Sequence, residues 1–168
     1  IRQTIHFDTP NQMNEKSWKR ALNALLPEDV YVKETKRVPS SFHARFSAIE
    51  KEYRYVILNE KETNLFRRHY VYQFPYALDI DKMQEACQYL EGEHDFTAFS
   101  SAKSTVKGSK VRTLYGASCI QKGSEIMFVF RGNGFLYHMV RILVGTLLEI
   151  GQGKRKPENI KQLLKQQD

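Results

Sequence analysis

Cysteine is scarce in this 168-residue sequence. Cys87 and Cys119 stand far apart, one in a helix-like and one in a strand-like context, so neither a CxxC metal site nor a disulfide framework is drawn. A reducing cytoplasm fits that usage. No long apolar run is free of charge: the stretch from Phe135 to Gly151 carries Arg141 and Glu149, which a bilayer-spanning segment tolerates poorly. No charged-then-apolar leader opens the chain, and membrane residence is not expected. Internal repeats and low-complexity tracts are missing, and no His or Cys cluster has the spacing of a metal site. An initiating Met is missing too. "IRQTIHF" alternates from its first residue, with Ile1, Gln3, Ile5 and Phe7 on one face, and reads as a chain that begins inside a strand. A piece of a longer protein is therefore expected. Acid is in deficit as well: 19 Asp and Glu against 26 Lys and Arg give +7 and a pI near 9.4. That balance favours an anionic partner such as nucleic acid.

What is present is a folded chain, 41% hydrophobic and 12% aromatic, enough for one good core or two small ones. "NEKSWKRALNALLP" predicts an amphipathic helix carrying Trp18, Leu22 and Leu25, with Asn14 as cap and Pro27 as stop. "DVYVKETKRV" predicts a short strand, and Pro39, Ser40 and Ser41 mark a boundary that divides the chain into 1–39 and 40–168. "AIEKEYRYVILNE" alternates as a strand with Tyr53 and Tyr55 on one face. "RRHYVYQF" reads as a further strand. "DIDKMQEACQYLEGEHDF" sets Met83, Ala86, Cys87 and Leu90 on one helical stripe, with Gly92 at the C-terminal cap. "TLYGASCIQKGSEIMFVFRGN" predicts a hairpin turning near Lys122, Gly123 and Ser124. Two helices follow, the second started by Pro157. Interleaved helices and hairpins predict an α+β fold with a mostly antiparallel sheet and helices packed on it.

Arg141 is the conspicuous charge in the apolar helix. A guanidinium keeps its proton, and its helical neighbours Tyr137, His138, Val144 and Gly145 offer no carboxylate. Snorkelling to solvent is the plain alternative. The apolar surroundings instead predict a buried cation paired with an acid from elsewhere in the fold, because an unpaired one costs about 3–5 kcal/mol. The stretch 100–112 is basic, with Lys103, Lys107, Lys110 and Arg112 among small residues and no acid. A solvated surface is the plain alternative, and four cations without an acid tilt the reading toward phosphate contact. Tyrosines such as Tyr53 and Tyr55 fill cores routinely, yet on a basic protein they also stack on unpaired bases. His43 in "FHARFS", His94 beside Asp95 and His138 near Arg141 are read as structural histidines ahead of catalytic ones.

Taken together, "FHARFSAIEKEYRYVI", "GEHDFTAF" and "NGFLYHMVRILVGTLLEIGQGK" resemble successive blocks of the TruA-type tRNA pseudouridine synthases. "IHFDTP" and "ALNALLPEDV" resemble the segments that precede them. The resemblance covers nearly the whole chain in order. It implies a pseudouridine-synthase-like fold, with two subdomains flanking a basic cleft. The implied activity is isomerisation of uridine in the tRNA anticodon stem-loop, without metal or organic cofactor, in a cytoplasmic homodimer. It also implies that Tyr53 stacks on the flipped uridine and that Arg141 pairs with the catalytic aspartate; on charge, Arg45, Lys103, Lys107, Lys110 and Arg112 are expected to contact RNA. The family carries that aspartate on a Gly-Arg-Thr-Asp-Ala-Gly type loop upstream of the strand beginning here at Ile1, and adds a C-terminal strand beyond the helix that ends this chain. The chain is therefore expected to be a fragment, inactive by itself. The alternatives are a non-catalytic RNA-binding module that keeps the basic loop and Tyr53, and, well behind it, a nuclease using His43 or His94.

Overall fold

The computed structural model describes residues 2–101 and 108–166, and the chain packs as two units, Ile1–Ala48 and Ile49–Asp168. In the first unit, α1 (Glu15–Leu25) starts where predicted: the Asn14 side chain accepts the Ser17 N–H at 2.8 Å, satisfying one of the free donors of the first turn. Trp18 meets Phe7 edge to face, whereas Leu25 projects into solvent. The two strands predicted in this unit do not form. Residues 2–7 and 29–38 are irregular, because neither alternation nor β-branching makes a strand without a ladder partner. The second stretch is tied to α1 instead. Asn23 exchanges two hydrogen bonds with the Val32 backbone, and the Arg37 N–H donates to the Glu15 carboxylate.

The second unit holds a five-stranded sheet in the order β2-β1-β5-β4-β3. Its strands are β1 (Lys51–Leu58), β2 (Tyr72–Gln73), β3 (Gly92–Asp95), β4 (Val111–Lys122) and β5 (Glu125–Gly132). All neighbours are antiparallel except the short β1–β2 pair. The β4–β5 hairpin closes through Gly123 and Ser124, Lys122 pairing with Glu125, and Gly123 takes a positive φ of 60°. "RRHYVYQF" yields only the two-residue β2. The helices are α2 (Ile80–Gln88), α3 (Met139–Gly151) and α4 (Asn159–Lys165), with a single 3-10 turn at Thr97–Phe99.

Period-two alternation decides which side of the sheet is buried. Tyr53, Tyr55 and Ile57 of β1 pair with Phe130, Phe128 and Ile126 of β5, so these six side chains share a face. Helix α2 covers it with Met83, Ala86 and Cys87, followed by Leu90, and α3 with Leu143, Val144 and Leu147. Phe128 and Phe130 are wholly buried, each contributing about 1.5–3 kcal/mol over exposure. Beyond Gly116, β4 has no β3 residue beside it. Two side chains from α2 and its C-terminal extension close that edge. Gln84 accepts the Cys119 N–H at 2.7 Å and Glu91 the Ala117 N–H at 3.1 Å, which blunts an otherwise sticky strand.

Candidate nucleic-acid site

Tyr53 lies opposite Phe130 on the helix-covered sheet face, one pair in from the Lys51–Gly132 pair at its end. Ile57, Phe128 and Phe130 on that face are buried and Tyr55 is half-buried, but Tyr53 remains 48% exposed. Phe135 meets it edge to face, with ring centroids 4.9 Å apart and planes at 74°. The tyrosine is thus held by one aromatic contact while about half of it stays open to solvent, as a stacking platform needs.

Phe135 stands in the loop from Asn133 to His138, which joins β5 to α3. Two hydrogen bonds anchor that loop to β4: the Asn133 N–H donates to the Thr113 carbonyl at 3.1 Å, and the Asn133 side chain accepts the Thr113 N–H at 3.0 Å. Gly132 permits this approach, since a Cβ there would lie 2.6 Å from the Thr113 carbonyl and 2.8 Å from Leu114. At the far end of the loop, His138 adopts a left-handed backbone with φ of 60°, its ring stacked on Tyr137 at 3.9 Å. A non-glycine residue held there stores strain. Asn133, Gly132 and Phe135 did not emerge from the sequence as functional candidates. The available signal was a Gly-Asn-Gly cluster after a strand and directly before an aromatic residue.

Cations gather at the same end of the sheet. Arg112 opens β4, donating to the Ser109 and Val111 carbonyls at 3.0 and 2.6 Å, with its side chain against Gly134 of the loop. Lys110 precedes it. Asp95 next to it is held below the ordinary carboxylate range, chiefly by the hydrogen bond from the Thr97 hydroxyl and more weakly by Lys110. Lys103 and Lys107 lie outside the described residues.

Arg141 sits in the first turn of α3, and it is exposed rather than buried. The expectation of a buried guanidinium is corrected by how the helix distributes its apolar residues. Met139, Leu143, Val144, Leu147, Leu148 and Ile150 all turn to the core, while Arg141 and Gly145, one turn apart, point outward. The exposed cation adds to the positive end of the helix dipole, and that first turn holds no acid. The result is a surface that favours an anionic group, carboxylate or phosphate. The β1–β5 register, the β4 start and the loop into α3 bring Tyr53, Lys110, Arg112 and Arg141 to one end of one sheet.

Arg45 belongs to the first unit. It is exposed, with its guanidinium 5.7 Å from the Phe46 ring centroid. His43 organises the turn that carries it: its Nδ1 accepts the N–H groups of Arg45 and Phe46 at 3.2 and 3.3 Å. His94 is engaged by its Nε2 with the Glu91 carbonyl at 2.9 Å and packs edge-on to Phe96. Both imidazoles act as braces for local backbone. Among the described residues, no group of three or more His, Cys, Asp or Glu side chains is placed to hold a metal ion. No described helix is long and apolar enough to cross a membrane.

Part of this α+β unit, residues 86–168, from the end of α2 through α4, is matched by a family profile described as tRNA pseudouridine synthase. The chain belongs to that family. Among the similar curated proteins, tRNA pseudouridine synthase A of Oceanobacillus iheyensis is 58% identical over 98% of this chain and 65% of its own length. The protein of the same name from Anoxybacillus flavithermus is 57% identical over 99% of this chain and 67% of its own length. A Bacillus cereus protein named tRNA pseudouridine synthase A 1 is 50% identical over 99% and 67%. The chain thus spans about two thirds of the length of these relatives.

Proposed function

We propose that this chain is the larger part of an enzyme that isomerises uridine to pseudouridine in the anticodon stem-loop of tRNA. The observation that carries the reading, beside family membership, is the half-open Tyr53 ring braced by Phe135 at the sheet end that also presents Arg141. A uridine inside a stem must leave its stack to be reworked, and an aromatic face replaces the stacking it loses. Tyr53 supplies that face. Arg141 pairs with the carboxylate of a catalytic aspartate contributed by residues outside this sequence, orients it and keeps it ionised for attack. The base is detached from the ribose, turned and rejoined through carbon, with no cofactor required.

Lys103, Lys107, Lys110, Arg112 and Arg45 track the phosphate backbone, so binding weakens steeply as salt rises. In this reading the enzyme acts in the cytoplasm as a homodimer. The test is tritium release from tRNA labelled at uracil C5, measured side by side for a protein of the relatives' full length and for this chain. Release by the longer protein alone is expected. Release by neither, with tRNA binding intact, would favour a non-catalytic RNA-binding module. Release by this chain alone would overturn the assignment of the nucleophile.

A further inference from the structure

We infer that Asn133 and Phe135 are positioning residues that set the orientation of Tyr53 and tie it to the start of α3. The inference rests on the reading of Tyr53 as the stacking residue. A tyrosine half open to solvent has several staggered side-chain orientations available, and only some present a ring face to an incoming base. Phe135, in a T-shaped contact at 4.9 Å, occupies one side of that space and restricts the choice. Phe135 is partly buried against the core. Its own position is fixed by the loop around it: Asn133 clamps the loop to Thr113 through two hydrogen bonds, and Gly132 lets the strands close beneath it. The loop then enters α3 with His138 in the left-handed region, three residues before Arg141. A single short segment therefore sets both the stacking ring and the cation.

The alternative is that Asn133 and Phe135 only stabilise the fold. A mutant cycle separates the two, because residues that act through one another are not additive. In the protein of the relatives' full length, Phe135→Leu keeps the apolar volume but removes the ring edge. It is expected to lower kcat about tenfold, the scale on which small misplacements act, with little change in KM for tRNA or in the thermal midpoint. In a Tyr53→Leu background the same change is expected to have no further effect, since the ring it orients is gone. Asn133→Ala should copy Phe135→Leu, and Asn133→Asp, which retains an acceptor for the Thr113 N–H, should recover most of the loss. Wild-type kcat in Phe135→Leu, or a loss fully additive with that of Tyr53→Leu, would overturn the inference while leaving the stacking role standing. Full turnover in Tyr53→Leu alone would instead overturn the stacking role, and the inference with it. If Asn133→Ala fails to fold, the Phe135 cycle decides the matter without it.

Discussion

Gly132 shows how one missing atom supports the site. A Cβ at that position would be 2.6 Å from the Thr113 carbonyl, so Gly132→Ala must push β4 and β5 apart where Asn133 holds the loop. Overpacking of this kind costs about 1–3 kcal/mol, and urea unfolding of this chain is expected to show a loss in that range. An unchanged midpoint would mean that the loop shifts freely. The cysteines offer a second check. Burial raises both thiols, Cys119 to about 12 and Cys87 further, the latter also through the neighbouring Cys119. Thiolate is the reactive form. Neither should react with a disulfide reagent at pH 8 in the native protein, and both should react in guanidinium. The burial of Cys87 was legible in the sequence, from its place on the α2 stripe. The exposure of Arg141 was not: composition around it was apolar, but exposure depends on which stripe of α3 faces the core, and that requires the sheet beneath.

The strands and helices differ in how much of their formation is local. Helix α2 was legible because its stripe lies within one stretch, and Met83, Ala86, Cys87 and Leu90 are all buried as expected. The helix ends at Gln88 with Tyr89 as its cap, however, and Gly92, expected at the cap, opens β3 instead. The β4–β5 hairpin was legible because its turn is local. The strands expected at 1–7 and 29–38 failed because a strand needs a partner, and pairing is not written in either segment. Gln84 illustrates the non-local part, since nothing in the helix pattern says that it caps Cys119 of β4. Gln84→Ala leaves that N–H unpaired and should cost about 1–3 kcal/mol in urea unfolding. A neutral result would show that water replaces the cap. Asp79 gives α2 a pH dependence. Its carboxylate is held below the ordinary value of 3.8, first by the hydrogen bond from the Lys82 side chain and then by the Lys82 N–H. The folded form therefore binds a proton less readily than the unfolded one. The stabilisation is complete above pH 3.8 and is lost as pH falls through the lower folded value. The gap in unfolding midpoint between the native chain and Asp79→Ala should narrow on acidification from pH 7 to 3. A constant gap would show that the carboxylate charge contributes nothing.

The two packing units differ in burial and in the candidate residues they present. The first presents Arg45 on a turn braced by His43, and none of its described residues is buried. The second contains the core and gathers Tyr53, Lys110, Arg112 and Arg141 at one sheet end. The α+β class followed from the pattern, and the charge pointed to an anionic partner. The convergence of residues 53, 112, 135 and 141 did not, because it arises from the order β1-β5-β4 and the loop into α3. The central claim is that Arg141, exposed in this chain, serves a carboxylate supplied by the rest of the enzyme. It is tested most directly by Arg141→Ala in the protein of the relatives' full length, with single-turnover isomerisation and tRNA affinity measured on the same samples. The account predicts turnover reduced about a hundredfold or more, as for loss of a charge-stabilising group, with affinity changed only a few-fold and this shorter chain's stability altered by less than about 0.5 kcal/mol. Wild-type turnover in that variant would contradict it.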